Sequence, residues 1–172
     1  MGERLAHGCQ YARSRYTGGT DGCAAIVSSV ADMAGYSRTP LHRKLGIKPG
    51  HRVALLDAPA GFAATLDGLP DGVVILRTLA ADVPIDVIVL FVTERRQLQA
   101  RLAEATRRMA QNGGLWVAWP KRASKVPTDV TEDVVREVAL PTGLVDNKVC
   151  AIDAIWSGLR LVIRRENRIP AD

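Results

Sequence analysis

Cysteine is scarce in this chain, and its placement excludes more than its number does. Cys9, Cys23 and Cys150 form an odd, scattered set. They build no disulfide framework and suit a reducing cytosol. Metal spacing is missing too. His7, His42 and His51 stand far from any C-x-x-C or H-x-x-x-H pattern, so no metal is expected. No apolar run reaches about 18 residues free of charge, which excludes a membrane-spanning helix. No basic run of five occurs, so nucleic acid is not favoured as a partner. Acidic residues are the minority, 18 against 23 Lys plus Arg, for a net charge of +5. Arginine supplies 18 of those 23. The balance permits an anionic small molecule as ligand.

What is present is an ordinary globular composition: 172 residues, 47% hydrophobic and 24% charged. That is one domain with room for a tail. Residues 1–34 are rich in Gly, Ser, Thr and Ala without clear periodicity, and are expected to be a poorly ordered tail. Arg4, Arg13 and Arg15 precede an apolar stretch that is too weak and too late for a secretory signal. Met33 is the expected working start. Residues 35–168 are expected to form a single α/β domain, with 169–172 a short C-terminal tail, in a cytoplasmic protein.

From residue 37 the punctuation becomes regular. Thr39-Pro40 opens a short helix that Gly46 ends. A buried strand follows at 52–57, then a helical stretch at 61–68 and a short strand at 73–76. Residues 86–92 form the strongest strand, continuously β-branched and aromatic. Thr93 caps a long helix whose apolar stripe is Leu98, Leu102, Ala105 and Met109, and Asn112-Gly113-Gly114 stops it. Its other face is rich in arginine and reads as solvated surface. A buried strand at 115–119 leads into a polar loop. Asp129 with Glu132 reads as a capping box for a helix to about Leu140. Two last strands, 145–152 and 159–165, form an antiparallel hairpin.

Strands alternating with helices predict a mostly parallel sheet. The ending of strand, helix, strand, helix and a terminal strand pair resembles the back half of the class I methyltransferase fold, a Rossmann-like sheet whose last strand is inserted antiparallel. Gly113-Gly114-Leu115-Trp116-Val117 resembles the entry to strand five of those enzymes. The expected fold class is therefore α/β, Rossmann-like and, by this resemblance, methyltransferase-like. The chain departs from the pattern where that family holds its cofactor. An acidic-Gly-x-Gly-x-Gly loop is expected after the first strand; here it reads Asp57-Ala58-Pro59-Ala60-Gly61-Phe62. Pro59 has no N–H to offer, and Leu76 is followed by Arg77 rather than an acidic residue. On these grounds S-adenosylmethionine is not expected as the ligand, and Arg77 is suited to a phosphate.

A second resemblance is closer in sequence. Ala34-Gly35-Tyr36-Ser37, Thr39-Pro40-Leu41 and Lys44-Leu45-Gly46-Ile47-Lys48-Pro49-Gly50 resemble the opening of a family of small bacterial proteins catalogued as a domain of unknown function. Trp119-Pro120-Lys121 with Ala123-Ser124, Thr128-Asp129 with Thr131-Glu132, and Trp156-Ser157-Gly158-Leu159 continue the likeness. The resemblance implies a bacterial cytoplasmic protein and carries no activity.

In open α/β sheets ligands bind outside the carboxyl ends of the strands. Those ends deliver Asp57, Gly61, Thr93, Trp119, Lys121, Ser124, Lys125, Asp153, Trp156 and Ser157 to one rim. Lys121 is the expected contact for an anion, and Trp156 the surface on which a ring would stack. The opposite rim, with Gly113-Gly114, reads as turn chemistry. The set lacks a Ser–His or Cys–His pair, so binding or regulation is favoured over catalysis. A methyltransferase-like enzyme with an atypical cofactor loop, and a homodimeric interaction module, stay open as alternatives.

Overall fold

The computed structural model describes residues 39–79 and 82–169, and the expected tail at 1–34 lies outside them. The chain divides into two units, residues 1–37 and 38–172, and the second carries the sheet.

Six strands form that sheet in the order β2-β1-β3-β4-β6-β5. They are β1 (Arg52–Leu56), β2 (Val74–Leu76), β3 (Ile85–Phe91), β4 (Met109–Pro120), β5 (Leu144–Ala151) and β6 (Trp156–Ile163). The pairs β1–β2, β1–β3 and β3–β4 are parallel, while β6 runs antiparallel between β4 and β5. This is the mostly parallel sheet that the alternation of elements predicts, with the antiparallel insertion that the methyltransferase resemblance implies. Its central strands are buried on both faces because their side chains alternate between two cores. Ala54, Leu56, Ile88, Leu90, Val117 and Trp119 face the first core, beneath α2 (Arg95–Arg108) and α3 (Glu132–Ala139). Val53, Leu55, Val87, Val89, Phe91, Trp116 and Trp156 face the second. There α1 (Leu41–Leu45) contributes Leu45 and a single 3-10 turn, Phe62–Thr65, contributes Phe62.

Several local expectations are corrected. The stretch 61–68 yields only that one 3-10 turn. The cap of α2 is Glu94, whose carboxylate and the Gln97 amide form a reciprocal capping box, with Thr93 one residue outside. Asp129 does not cap α3; Thr131 does, its hydroxyl accepting the Val134 N–H at 3.3 Å. Asp129 instead accepts the Arg95 N–H at 2.7 Å and so closes the start of α2 from across the fold. Gly113 and Gly114 stop no helix. The helix ends at Arg108, β4 begins at once, and both glycines lie inside it. They serve a bulge, in which the register runs from Met109 to Gly114 while β3 advances only from Ile85 to Val87. Trp156 and Ser157 belong to β6 rather than to the hairpin turn.

Candidate functional site

The strand order reverses between β1 and β3, since β1 carries β2 on one side and β3 on the other. That switch point is where an open α/β sheet leaves a crevice at its carboxyl edge. On one side β1 ends in Asp57, held in the left-handed conformation at φ 52°. Aspartate tolerates this region because its short polar side chain can bond locally. Gly61 makes the second left-handed turn at φ 79°, and a Cβ there would meet nothing within 4 Å, so the loop stands open beside it. The Asp57 carboxylate is half exposed and lies 3.5 Å from the Arg101 guanidinium of α2, itself half exposed. In sequence, Arg101 belongs to an arginine face that reads as solvated. Nothing local marks it, because its proximity to Asp57 is created by α2 packing back over the sheet.

The remaining rim residues are placed as follows. Thr93 lies just past β3, and its N–H donates to the Gln97 amide oxygen at 3.1 Å. Its carbonyl accepts the Thr128 hydroxyl at 2.7 Å and the Asp129 N–H at 3.3 Å. The loop after β4 is thereby tied over the end of β3. The Lys121 ammonium donates to the Asp153 carbonyl at 2.5 Å, and the Lys121 N–H to the Ile155 carbonyl at 2.7 Å. Asp153 shapes its own turn, one carboxylate oxygen accepting the Ile155 and Trp156 N–H groups at 2.7 Å each. Ser124 donates to the Lys121 carbonyl at 2.6 Å. Lys125 is exposed and left-handed at φ 57°. Ser157 pairs with Trp119 across β4 and β6, so the two share a face.

The tryptophans part company. Trp119 packs in the core beneath α2 and α3, and Trp156 in the core on the other side of the sheet. The Trp156 ring meets Phe91 edge-on at 5.0 Å between centroids, and Phe91 meets Phe62 in the same manner at 4.6 Å. This aromatic row belongs to the second core and begins at Phe62, next to Gly61. Two clusters therefore occupy the rim: Asp57, Gly61 and Arg101 with Thr93 at the switch point, and Lys121, Ser124 and Asp153 knotted at the hairpin turn. Cys150 sits apart on β5, where burial pushes its thiol pKa up against the pull of Lys148, Lys44 and Lys121. Among the described residues no group of three His, Cys, Asp or Glu side chains could hold a metal ion, and no helix is long and apolar enough to cross a membrane.

Comparison with known proteins bears on this geometry. The fold is similar to the crystal structure of a SAM dependent methyltransferase from Aquifex aeolicus, at 15% identity and a TM-score of 0.53, over 72% of this chain and 88% of that one. It is likewise similar to a fibrillarin pre-rRNA processing protein of Methanococcus jannaschii, at 14% identity and a TM-score of 0.52, over 75% of this chain and 70% of that one. The chain thus has a methyltransferase fold. The expectation against S-adenosylmethionine is corrected by this likeness. It rests on the single glycine of the loop after β1, on Pro59 and on Arg77 in place of an acidic residue; the fold is nonetheless that of these enzymes, and Asp57 and Gly61 make two left-handed turns in that loop. No curated relative matches the chain in sequence. A family model does, over residues 73–165, which contain the later motifs from Trp119 to Leu159. The chain belongs to the family described as "Protein of unknown function (DUF3052)".

Proposed function

We propose that the protein is a small-ligand-binding protein whose switch-point crevice takes an adenosyl ligand of the S-adenosylmethionine class. The observation that carries this reading is the Asp57–Arg101 pair, half exposed and 3.5 Å apart at the carboxyl end of β1. A carboxylate and a guanidinium side by side complement a free amino acid end, ammonium to Asp57 and carboxylate to Arg101. The open space beside Gly61 suits close approach of a ligand to the backbone. Likeness of fold to a structure titled as a SAM dependent methyltransferase supports the ligand class. When bound, the sulfonium of such a ligand supplies an electrophilic methyl group. The chain's own part in this reading is to bind and orient, and Thr93, tied under the loop after β4, walls the crevice on the β3 side.

Calorimetry on the full chain with S-adenosylmethionine and S-adenosylhomocysteine tests this. One-to-one saturable binding is expected, weakened roughly tenfold by Asp57→Asn and by Arg101→Gln, about 1.4 kcal/mol each. Absence of binding at about 1 mM ligand, where an affinity of about 4 kcal/mol registers, overturns the reading. So does binding that neither variant changes.

A further inference from the structure

We infer that the early part of the β4–β6 sheet face is a binding site for a tetrahedral oxyanion, phosphate or a phosphate monoester, held by the guanidinium groups of Arg160 and Arg168. This site lies toward the start of β4, at the other end of that strand from Lys121, and is independent of the switch-point crevice.

The argument begins with register. Arg160 on β6 stands directly opposite Trp116 on β4 and Lys148 on β5. Residues directly opposite share a face, and like charges so placed repel. Arg168 adds a third cation. Its Nε–H donates to the Ile163 carbonyl at 3.1 Å and its Nη1–H to the Asn112 side-chain oxygen at 3.2 Å. These bonds fix it where its charge acts on Arg160. Among the described residues, none of the three forms an ion pair, whereas Arg95, Arg101, Arg108 and Arg136 each have a carboxylate. Lys148 donates to the Lys44 carbonyl at 2.9 Å, which satisfies a hydrogen bond without cancelling a charge.

The chain also gives up a side chain to accommodate Arg160. A Cβ at Gly114 would lie 2.5 Å from Arg160 Nε and 2.9 Å from its Cζ. The guanidinium therefore rests against Gly114, partly buried, and a Cβ there would push it from that place. Burial and Arg168 both disfavour the charged form and lower the Arg160 pKa. Crowding cations without a carboxylate is costly in the free protein and favourable once an anion joins them. The planar fork of arginine matches a phosphate edge bidentately.

The test is a titration of the ¹⁵N-labelled full chain with inorganic phosphate and with glycerol phosphate, ionic strength being held constant with chloride. The expected result is a saturable shift of the Gly113, Gly114 and Arg160 Nε–H signals. Arg160→Gln and Arg168→Gln should each weaken binding roughly tenfold. Gly114→Ala should weaken it too, although every charge is kept; the two arginine variants carry the test if that one fails to fold. Tighter binding of glycerol phosphate assigns the site to monoesters, and equal binding assigns it to free phosphate. Shifts that never saturate, or an Arg160→Gln protein that titrates like the parent, overturn the proposal.

Discussion

At the scale of the residue, the chain uses polar side chains to fasten elements that sequence order keeps apart. Trp116 is wholly buried, and its indole N–H donates to the Leu45 carbonyl at 3.0 Å, joining β4 to α1. Removing a buried donor leaves its acceptor unsatisfied, which costs about 1–3 kcal/mol on top of lost packing. Trp116→Phe is therefore expected to lower stability by about 2–4 kcal/mol, read from the midpoint and slope of urea unfolding. A loss below about 1 kcal/mol would mean that water reaches the Leu45 carbonyl. His42 shows the same economy. Buried on α1, its Nδ1–H donates to the Asp67 carbonyl at 3.1 Å, so the ring ties the helix to the loop after the 3-10 turn. These partners are 71 and 25 residues away in sequence. No local pattern names them, although the burial of Trp116 itself is legible from its place in an apolar strand.

At the scale of the element, α2 and α3 are clamped to each other and to the sheet by ion pairs. Arg95 of α2 donates two bonds to Glu137 of α3, at 2.6 and 3.0 Å, and Arg136 joins α3 to Asp146 of β5 at 2.9 Å. Hydrogen bonding from Arg95, then its charge, holds the Glu137 carboxyl below its ordinary range. A carboxylate with a depressed pKa in the folded state stabilises above its unfolded pKa of about 4.3 and loses that contribution as pH falls through the depressed value. Unfolding midpoints should thus decline below about pH 5, and Glu137→Gln should flatten that decline while changing little at pH 7 beyond the lost pair. Parallel curves for the two proteins would remove Glu137 from the account.

The β3–β4 bulge is a second device of this scale. A Cβ at Gly113 would lie 2.8 Å from the Asp86 carbonyl oxygen and 2.9 Å from that of Ala110, both backbone atoms that cannot swing aside. Gly113→Ala is expected to cost about 1–3 kcal/mol by overpacking, measured by thermal unfolding. A neutral effect would show that the bulge relaxes freely. In sequence Gly113-Gly114 looks like a helix stop followed by a turn. The bulge is not legible there because it depends on β3 lying alongside.

At the scale of the whole molecule, two cores on either side of one sheet explain why the fold tolerates a one-glycine loop after β1. The strands are held mainly by Val, Leu and Ile side chains, and of the loop only Phe62 and Ala58 reach the core, so its other positions can change while the sheet persists. We propose that the domain needs nothing before Met33. All buried hydrophobic residues of the described chain lie between Leu45 and Val162. A chain beginning at Met33 is expected to unfold within a few degrees of the full chain, where about 1 kcal/mol shifts the midpoint by 2–8 °C. A larger drop would assign the first residues a place in the fold.

Local pattern is enough for the existence and order of the strands, the burial of the central ones and the parallel sheet with one reversed strand near its end, though not for where β4 and β6 begin. Continuous β-branched runs, Gly and Pro stops and short connections act over a few residues, and over that range they suffice. Strand direction follows from topology, so the same pattern also delivers Asp57, Gly61, Thr93, Lys121 and Asp153 to one edge. What those residues meet is a matter of packing. It sets Arg101 beside Asp57, the Lys121 ammonium on the Asp153 carbonyl, Asp129 at the start of α2, and Arg160 with Arg168 over Gly114. Each of these contacts joins separate elements. Side-chain reach and sheet register, which place them, come into being only when the elements pack.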